Sequence, residues 1–181
     1  MRIIAGTKKG LKLQSPATIE TRPTMDRTKE NIMNILENGI FKGRLHNSTV
    51  ADVFAGSGSV GLEMLSRGAS HCTFFENNPI TLKTLHHNIK KFNAQKNQFS
   101  VKKNALTPHS AHPFDIVFMD APYNQNLTKK SLHALYTSGC IHDASLLIIQ
   151  VSKEEDIPER TPFIVRDERV IGNTRFAFLA V

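Results

Sequence analysis

From Thr49 onward, short apolar runs alternate with stretches whose apolar positions recur every three or four residues. Runs of the first kind read as buried strands and stretches of the second kind as amphipathic helices. A strand over about 49–54 precedes a helix from Ser59 to Ser66, closed by Arg67-Gly68. The run His71–Phe75 is a second strand ending in Glu76, and Pro79 starts a helix carrying Leu82, Leu85, Ile89 and Phe92. Proline suits a first helical turn because the N–H it lacks would be unpaired there. A third strand over about 98–102 ends near Asn104, and a connection with Pro108 and Pro113 leads to the strand Phe114–Met119. A helix from about Leu127 to Ser138 and a strand Ser145–Val151 follow. The last third changes character: Phe163–Arg166 and Arg175–Val181 read as two strands joined by a turn at Ile171-Gly172-Asn173. Alternating strands and helices imply a mostly parallel sheet covered on both faces, to which a closing hairpin adds an antiparallel strand.

The first 48 residues are patterned differently. Residues 2–13 predict two short strands around a Gly6–Gly10 turn, with Lys8 and Lys9 at its tip. Past a loop at 14–18, Met25, Ile32, Ile35 and Leu36 form one stripe of a helix ending at Asn38-Gly39, with Thr24 as its N-cap. Residues 39–48 read as a polar connection. The chain thus divides into a basic hairpin-and-helix extension, 1–48, and a sheet domain, 49–181.

Charge adds a partner to this picture. The formal net charge is +7, and residues 1–30 hold seven Lys/Arg against three acids, a local excess of four. Such a concentration reads as a surface for a polyanion. Cys72 and Cys140 lie far apart without metal-ligand spacing, so neither a disulfide framework nor a metal site is expected. Neither a signal peptide nor an apolar run of membrane-spanning length is present, which makes the cytoplasm the expected location.

The candidate chemistry begins at Gly56-x-Gly58-x-x-Gly61, between the first strand and helix. A glycine turn leading into a helix brings backbone N–H groups close to a nucleotide, for a dinucleotide or another donor alike. Gly56 and Gly58 permit positive φ and clear space for a ligand, and Gly61 lets the helix lie close on the strand. Asp52 discriminates. A carboxylate in an apolar strand end is costly unless paired; it would repel two phosphates but attract the α-ammonium of S-adenosylmethionine. Glu76 stands where ribose hydroxyls are gripped in both ligand types. Asn104 is either an adenine contact or a plain turn residue. Asp120-Ala121-Pro122-Tyr123, at the end of the fourth strand, offers a carboxylate, a backbone carbonyl and an aromatic face. Those suit an exocyclic amino group on a base drawn out of its stack.

Together with RIIAG…KG, TRPTMDRTKENIMNIL, DVFAGSGSVGLEMLSRGA, FDIVFMDAPY and IGNTRFAF, these residues resemble the bacterial 16S rRNA guanine-N2 methyltransferases of the RsmD type over nearly the whole chain. The resemblance implies a Rossmann-like α/β methyltransferase fold with a seven-stranded, mostly parallel sheet and an antiparallel C-terminal strand. It implies methylation of guanine-966 at N2, with 16S rRNA in the 30S subunit or its assembly intermediate as partner. By position, Asp52, Phe54, Gly56, Ser57, Gly58, Glu76, Asn77, Asn104 and Ala105 would hold S-adenosylmethionine. Asp120, Ala121, Pro122 and Tyr123 would hold the guanine, and Lys8, Lys9, Lys12, Arg22 and Arg27 the RNA. Ala121 replaces the first proline of the family's usual Asp-Pro-Pro-Tyr/Phe, and Asn104 its usual aspartate. A monomer acting without metal or membrane is expected. An NAD-dependent oxidoreductase, an N6-adenine DNA methyltransferase and a non-catalytic assembly factor are the competing readings.

Overall fold

The apolar runs become the inner strands of one sheet. The computed structural model describes residues 1–16, 23–108, 112–122, 126–154 and 162–181, the side chains of 23–28 and 97 excepted. Its elements are α1 (Pro23–Asn38), β1 (Thr49–Val53), α2 (Ser59–Ser66), β2 (His71–Phe75), α3 (Pro79–Phe92) and β3 (Phe99–Lys102). After them come β4 (Phe114–Asp120), α4 (Leu127–Thr137), β5 (Ile141–Ser152), β6 (Ile164–Ile171) and β7 (Thr174–Ala180). The seven strands lie in the order β3-β2-β1-β4-β5-β7-β6. All neighbours are parallel except β7, which runs antiparallel to both β5 and β6. Strand order reverses between β1 and β4, the place where open parallel sheets form a crevice beyond their carboxyl ends.

Side chains alternate across the sheet and fill two cores. Val50, Phe74, Phe118, Ile148, Phe176 and Phe178 meet residues of α1, α2 and α3 on one face. Val53, Phe75, Val117, Met119, Ile149 and Leu179 meet Leu132 and Leu135 of α4 on the other.

The first core also takes Ile3, Leu13, Ile32, Met33, Leu36, Phe41 and Leu45, so residues before Thr49 share a core with the sheet. Polar groups fasten them further. Glu63, fully buried in α2, accepts the N–H groups of Ile4 at 2.8 Å and Ala5 at 3.0 Å. Its carboxylate is charge-balanced by Arg67 Nε at 2.8 Å and Lys29 Nζ at 3.4 Å. Breaking a buried pair of this kind costs about 3–5 kcal/mol, because the remaining charge stays out of water. Gly6, at φ +80°, lies so close to the Ser66 backbone that a side chain there would collide with it.

Several expectations need correction. The segment 2–13 is a hairpin, with an antiparallel bridge from Arg2 to Lys12 and cross-arm bonds from the Ile3 N–H to the Leu11 carbonyl and from the Leu13 N–H to the Met1 carbonyl. Its pairing stops short of two full strands because the N–H groups of Ile4, Ala5, Thr7 and Lys8 turn to α2. α1 already includes Pro23 and Thr24, so Thr24 lies inside the first turn and is not the cap. The stretch 39–48 is not simply polar. Phe41 is buried and stacks on Phe178 at 5.4 Å between ring centroids, worth about 0.5–1.5 kcal/mol beyond burial. β5 begins at Ile141, four residues early, and β6 continues through the charged run Arg166–Arg169 to Ile171. An edge strand is held by backbone pairing to one neighbour, so β6 needs no apolar alternation. Among the described residues, no helix is long and apolar enough to cross a membrane.

Candidate active site

The carboxyl ends of β1, β2 and β4 each terminate in or beside an acid. Asp52 pairs in register with Phe74 of β2 and Phe118 of β4. Asp120, two residues beyond Phe118, therefore projects from the same face as Asp52. The glycine loop starts immediately after β1. Phe54 enters it at φ +63°, a left-handed conformation uncommon for an aromatic residue, while Gly56 and Gly58 lie at φ +55° and +76°. A side chain at Gly56 would meet open space, whereas one at Gly58 would strike Leu85 of α3. Gly58 thus serves packing as well as the turn, and Gly56 is the glycine facing free volume. At Gly61 a Cβ would lie 2.5 Å from Phe74 Cε1 and 2.6 Å from Cys72 Sγ, so α2 does lie close on the strands.

Asp52 is only 2% exposed, and its Oδ2 accepts the Gly61 N–H at 2.8 Å. That bond caps a first-turn donor of α2, whose N-cap, Gly58, has no side chain to do so. Burial pushes the Asp52 carboxyl up to about 7; the Gly61 N–H opposes this, and the charges of Asp120 and Glu76 add to it. Burial likewise raises Asp120 to about 7. Two carboxyls raised by burial at adjacent strand ends are each costly to ionise without a positive partner.

Glu76 ties the glycine loop to the start of α3. Its Oε2 accepts the Gly56 N–H at 2.8 Å, and its Oε1 accepts those of Asn77 and Asn78, both at 2.8 Å. Asn78 in turn caps α3 through the N–H of Ile80 at 2.9 Å. After β3, on the same side of the crevice as Glu76, Asn104 is exposed and its Oδ1 accepts the Leu106 N–H at 2.9 Å; Ala105 beside it is buried. Two large apolar residues, Ile80 in the first turn of α3 at 56% and Leu106 after β3 at 42% exposure, are left uncovered. Sequence reading passed over both. Their signal was an apolar side chain shortly after each of two polar strand ends.

The structure also places residues that the sequence did not single out. Asn88 of α3 is fully buried, and its amide engages three backbone groups. Oδ1 accepts the Gln14 N–H at 2.8 Å, while Nδ2 donates to the carbonyls of Gln14 and Ser57, each at 2.9 Å. Ser57 itself is buried and its hydroxyl reaches Met1 Sδ at 3.6 Å.

The expected RNA contacts fall into separate places. Lys9 and Lys12 are exposed, whereas Lys8 is half-buried with its ammonium 5.8 Å from the Phe92 ring centroid. The hairpin tip bonds to Ser66 at the far end of α2; eight residues of helix place it about 12 Å from the glycine loop. It is not brought together with Asp120. Arg22 and Tyr123 lie outside the described residues, as does the side chain of Arg27. Ala121 is buried and Pro122 exposed at the crevice. A cavity of about 450 Å³ lined by Ile40, Arg44, Asp143 and Arg166 opens at the opposite end of the strands, where β5 begins and β7 ends.

The family model described as conserved hypothetical protein 95 matches residues 1–180. The chain belongs to this family. Two curated relatives of this RsmD family are named ribosomal RNA small subunit methyltransferase D. That of Haemophilus influenzae is 31% identical over 177 residues, covering 95% of this chain and 89% of the relative. That of Escherichia coli K12 is 32% identical over 160 residues, covering 87% and 78%. Among solved structures, the yhhF protein of Escherichia coli, described as a methyltransferase, superposes with a TM-score of 0.84 at 28% identity. The match spans 99% of this chain and 97% of that one. The fold is therefore the Rossmann-like methyltransferase fold, with its antiparallel strand β7.

Proposed function

We propose that this member of the RsmD family transfers a methyl group from S-adenosylmethionine to N2 of guanine-966 in 16S rRNA. The substrate is the 30S subunit or its assembly intermediate, and the enzyme acts as a cytoplasmic monomer without metal. In this reading residues 49–181 carry the chemistry, and residues 1–48 add a basic face for RNA. The names of the relatives support ribosomal RNA as the substrate class. The observation carrying the reading is the position of Asp120, at the end of β4, beside Asp52 and the Glu76–glycine-loop bridge.

The residues fit the proposed donor. Asp52 provides negative charge for the donor's ammonium. Glu76 has one acceptor site left, on Oε2, for a ribose hydroxyl, Gly56 leaves room for the methionine part, and Ile80 and Leu106 offer faces for adenine. Asn104 Oδ1, with one lone pair used by Leu106, has another for the adenine amino group. When bound, S-adenosylmethionine supplies an electrophilic methyl group.

The chain's own part is positioning and charge. Guanine N2 is a poor nucleophile because its lone pair is delocalised into the ring. Asp120 Oδ and the carbonyl oxygen of Ala121 accept its two hydrogens, favouring a pyramidal nitrogen and stabilising the positive charge that grows on it. Tyr123 stacks on the unstacked base and fixes its approach. The surplus proton passes to Asp120, whose raised pKa suits it as an acceptor near neutral pH.

The test is methyl transfer to unmethylated 30S subunits, read by mass spectrometry of the digested nucleosides. N2-methylguanosine at one position, lost in Asp120→Ala with donor affinity retained, is the expected result. N6-methyladenosine formed on DNA would reassign the chain to adenine methylation, and no transfer to any nucleic acid would leave an assembly factor.

A further inference from the structure

We propose that Gln150 reads the pairing edge of the target guanine beside Asp120, which makes it a specificity-determining residue of the reaction. The inference rests on the guanine-N2 reading above and deepens it.

Gln150 stands directly across from Asp120 in the parallel register of β4 and β5. Parallel partners project from the same face, and adjacent strands are about 4.8 Å apart. The two side chains therefore emerge side by side at the mouth of the crevice. Deeper along the same face, Leu146 and Ile148 of β5 are fully buried, as are Ile116 and Phe118 of β4. Gln150 and Asp120 are the first residues of their strands on this face to leave the core, and both are half-buried. On the other flank Gln150 faces Phe176 of β7, which is fully buried. No described residue hydrogen-bonds the Gln150 amide, although its strand neighbours are tightly packed. A half-buried amide left unengaged at a strand end is costly unless a ligand or water completes it.

The chemistry of that amide matches guanine. With N2 held by Asp120 and the Ala121 carbonyl, the next groups along the pairing edge are the N1–H donor and the O6 acceptor. A glutamine amide presents one acceptor and one donor side by side. Oε1 accepts N1–H and Nε2 donates to O6. An adenine offering its N6 amino group to the same two acceptors presents N1, an acceptor, and then C2–H, so at most one of these bonds forms. Neutrality matters as well. Asp120 and Asp52 already lie close enough for one charge to raise the other's pKa. A third carboxylate here would work against their ionisation, and an amide does not.

The experiment compares Gln150→Ala with wild type in single-turnover methyl transfer to reconstituted 30S subunits. These carry either guanine or 2-aminopurine at the target position. The analogue keeps the N2 amino group but lacks both O6 and N1–H. Wild type should methylate guanine roughly tenfold or more faster than 2-aminopurine, the worth of one to two hydrogen bonds. Gln150→Ala should slow guanine to near the 2-aminopurine rate and leave the 2-aminopurine rate unchanged. Equal slowing of both substrates would assign Gln150 to packing and overturn the proposal. An unchanged preference for guanine in the variant would overturn it too. A wild type that methylates neither substrate would instead sink the guanine-N2 reading itself, and this inference with it.

Discussion

Replacing Asn88 by leucine should damage both stability and the donor pocket, because one buried amide joins three segments of chain. The substitution keeps the size of the side chain and removes all three of its hydrogen bonds. The Ser57 carbonyl is left buried without its partner, at about 1–3 kcal/mol. The N–H and carbonyl of Gln14 lie nearer solvent, so each of those losses is worth about 0.5–1.5 kcal/mol. Water recovers part of this, and the expected total is about 2–4 kcal/mol. For a chain of this length that corresponds to a drop in Tm of about 5–12 °C. The second effect is on geometry. Ser57 lies between Gly56 and Gly58, and releasing its carbonyl lets the loop leave the conformation in which Gly56 meets Glu76. Calorimetric titration with S-adenosylmethionine at a temperature where the variant remains folded should therefore show affinity weakened several-fold. Asn88→Asp provides the contrast: it can still accept from Gln14 but sets a carboxylate oxygen against two carbonyls, so it should be at least as destabilising. A leucine variant with the wild-type urea midpoint and donor affinity would show that the clamp contributes neither to stability nor to the loop.

Acid carries a second expectation. Burial raises Asp52 and Asp120 to about 7 in the folded chain, against about 3.9 unfolded. Between these values the unfolded state binds fewer protons, so the ligand-free protein should lose stability as pH rises from about 4 through about 7. Urea midpoints at about pH 5 and pH 8 should differ less in Asp52→Asn than in wild type, and an identical difference would contradict the buried, proton-holding state. The basic segment gives a third. Neutralising Lys9 and Lys12, both exposed, should weaken 30S binding. Its salt dependence should become shallower by about 0.7–0.9 in log–log slope for each phosphate that the variant no longer neutralises. Donor affinity should not change, and an unaltered salt slope would leave these lysines as mere surface charge.

The sheet and the crevice were legible because local signals agreed there with periodicity. α2, β2 and α3 have the expected bounds, Ser59–Ser66, His71–Phe75 and Pro79–Phe92. At each boundary a glycine, a proline or a capping asparagine coincides with the change of period. Asp52, Glu76 and Asp120 stood out because each interrupts or ends an apolar run. What the residues could not reveal was the direction of a polar side chain whose partner is distant in sequence. Glu63 and Asn88 look like the solvent-facing positions of amphipathic helices, yet both are fully buried. Their partners include residues from the first fourteen and Lys29, and no local pattern announces that. Asp52 was half legible. Its burial cost was evident, but its bond to Gly61 in the next helix required the closeness of α2 to β1.

The docking of the first residues onto α2 and α3 sets an order of events during synthesis. Ile4 finds its partner 59 residues later in the chain, and Gln14 finds Asn88 74 residues later. A nascent chain therefore exposes this basic segment before the helices that receive it exist. β1 and α2 can begin to pack locally while that segment waits, and closing so long a loop costs entropy before any bond repays it. The same Asn88 that receives Gln14 also holds the Ser57 carbonyl of the glycine loop, and Met1 lies against the Ser57 hydroxyl. The segment made before β1 thus waits for helices made after it, and it completes the loop that Glu76 holds.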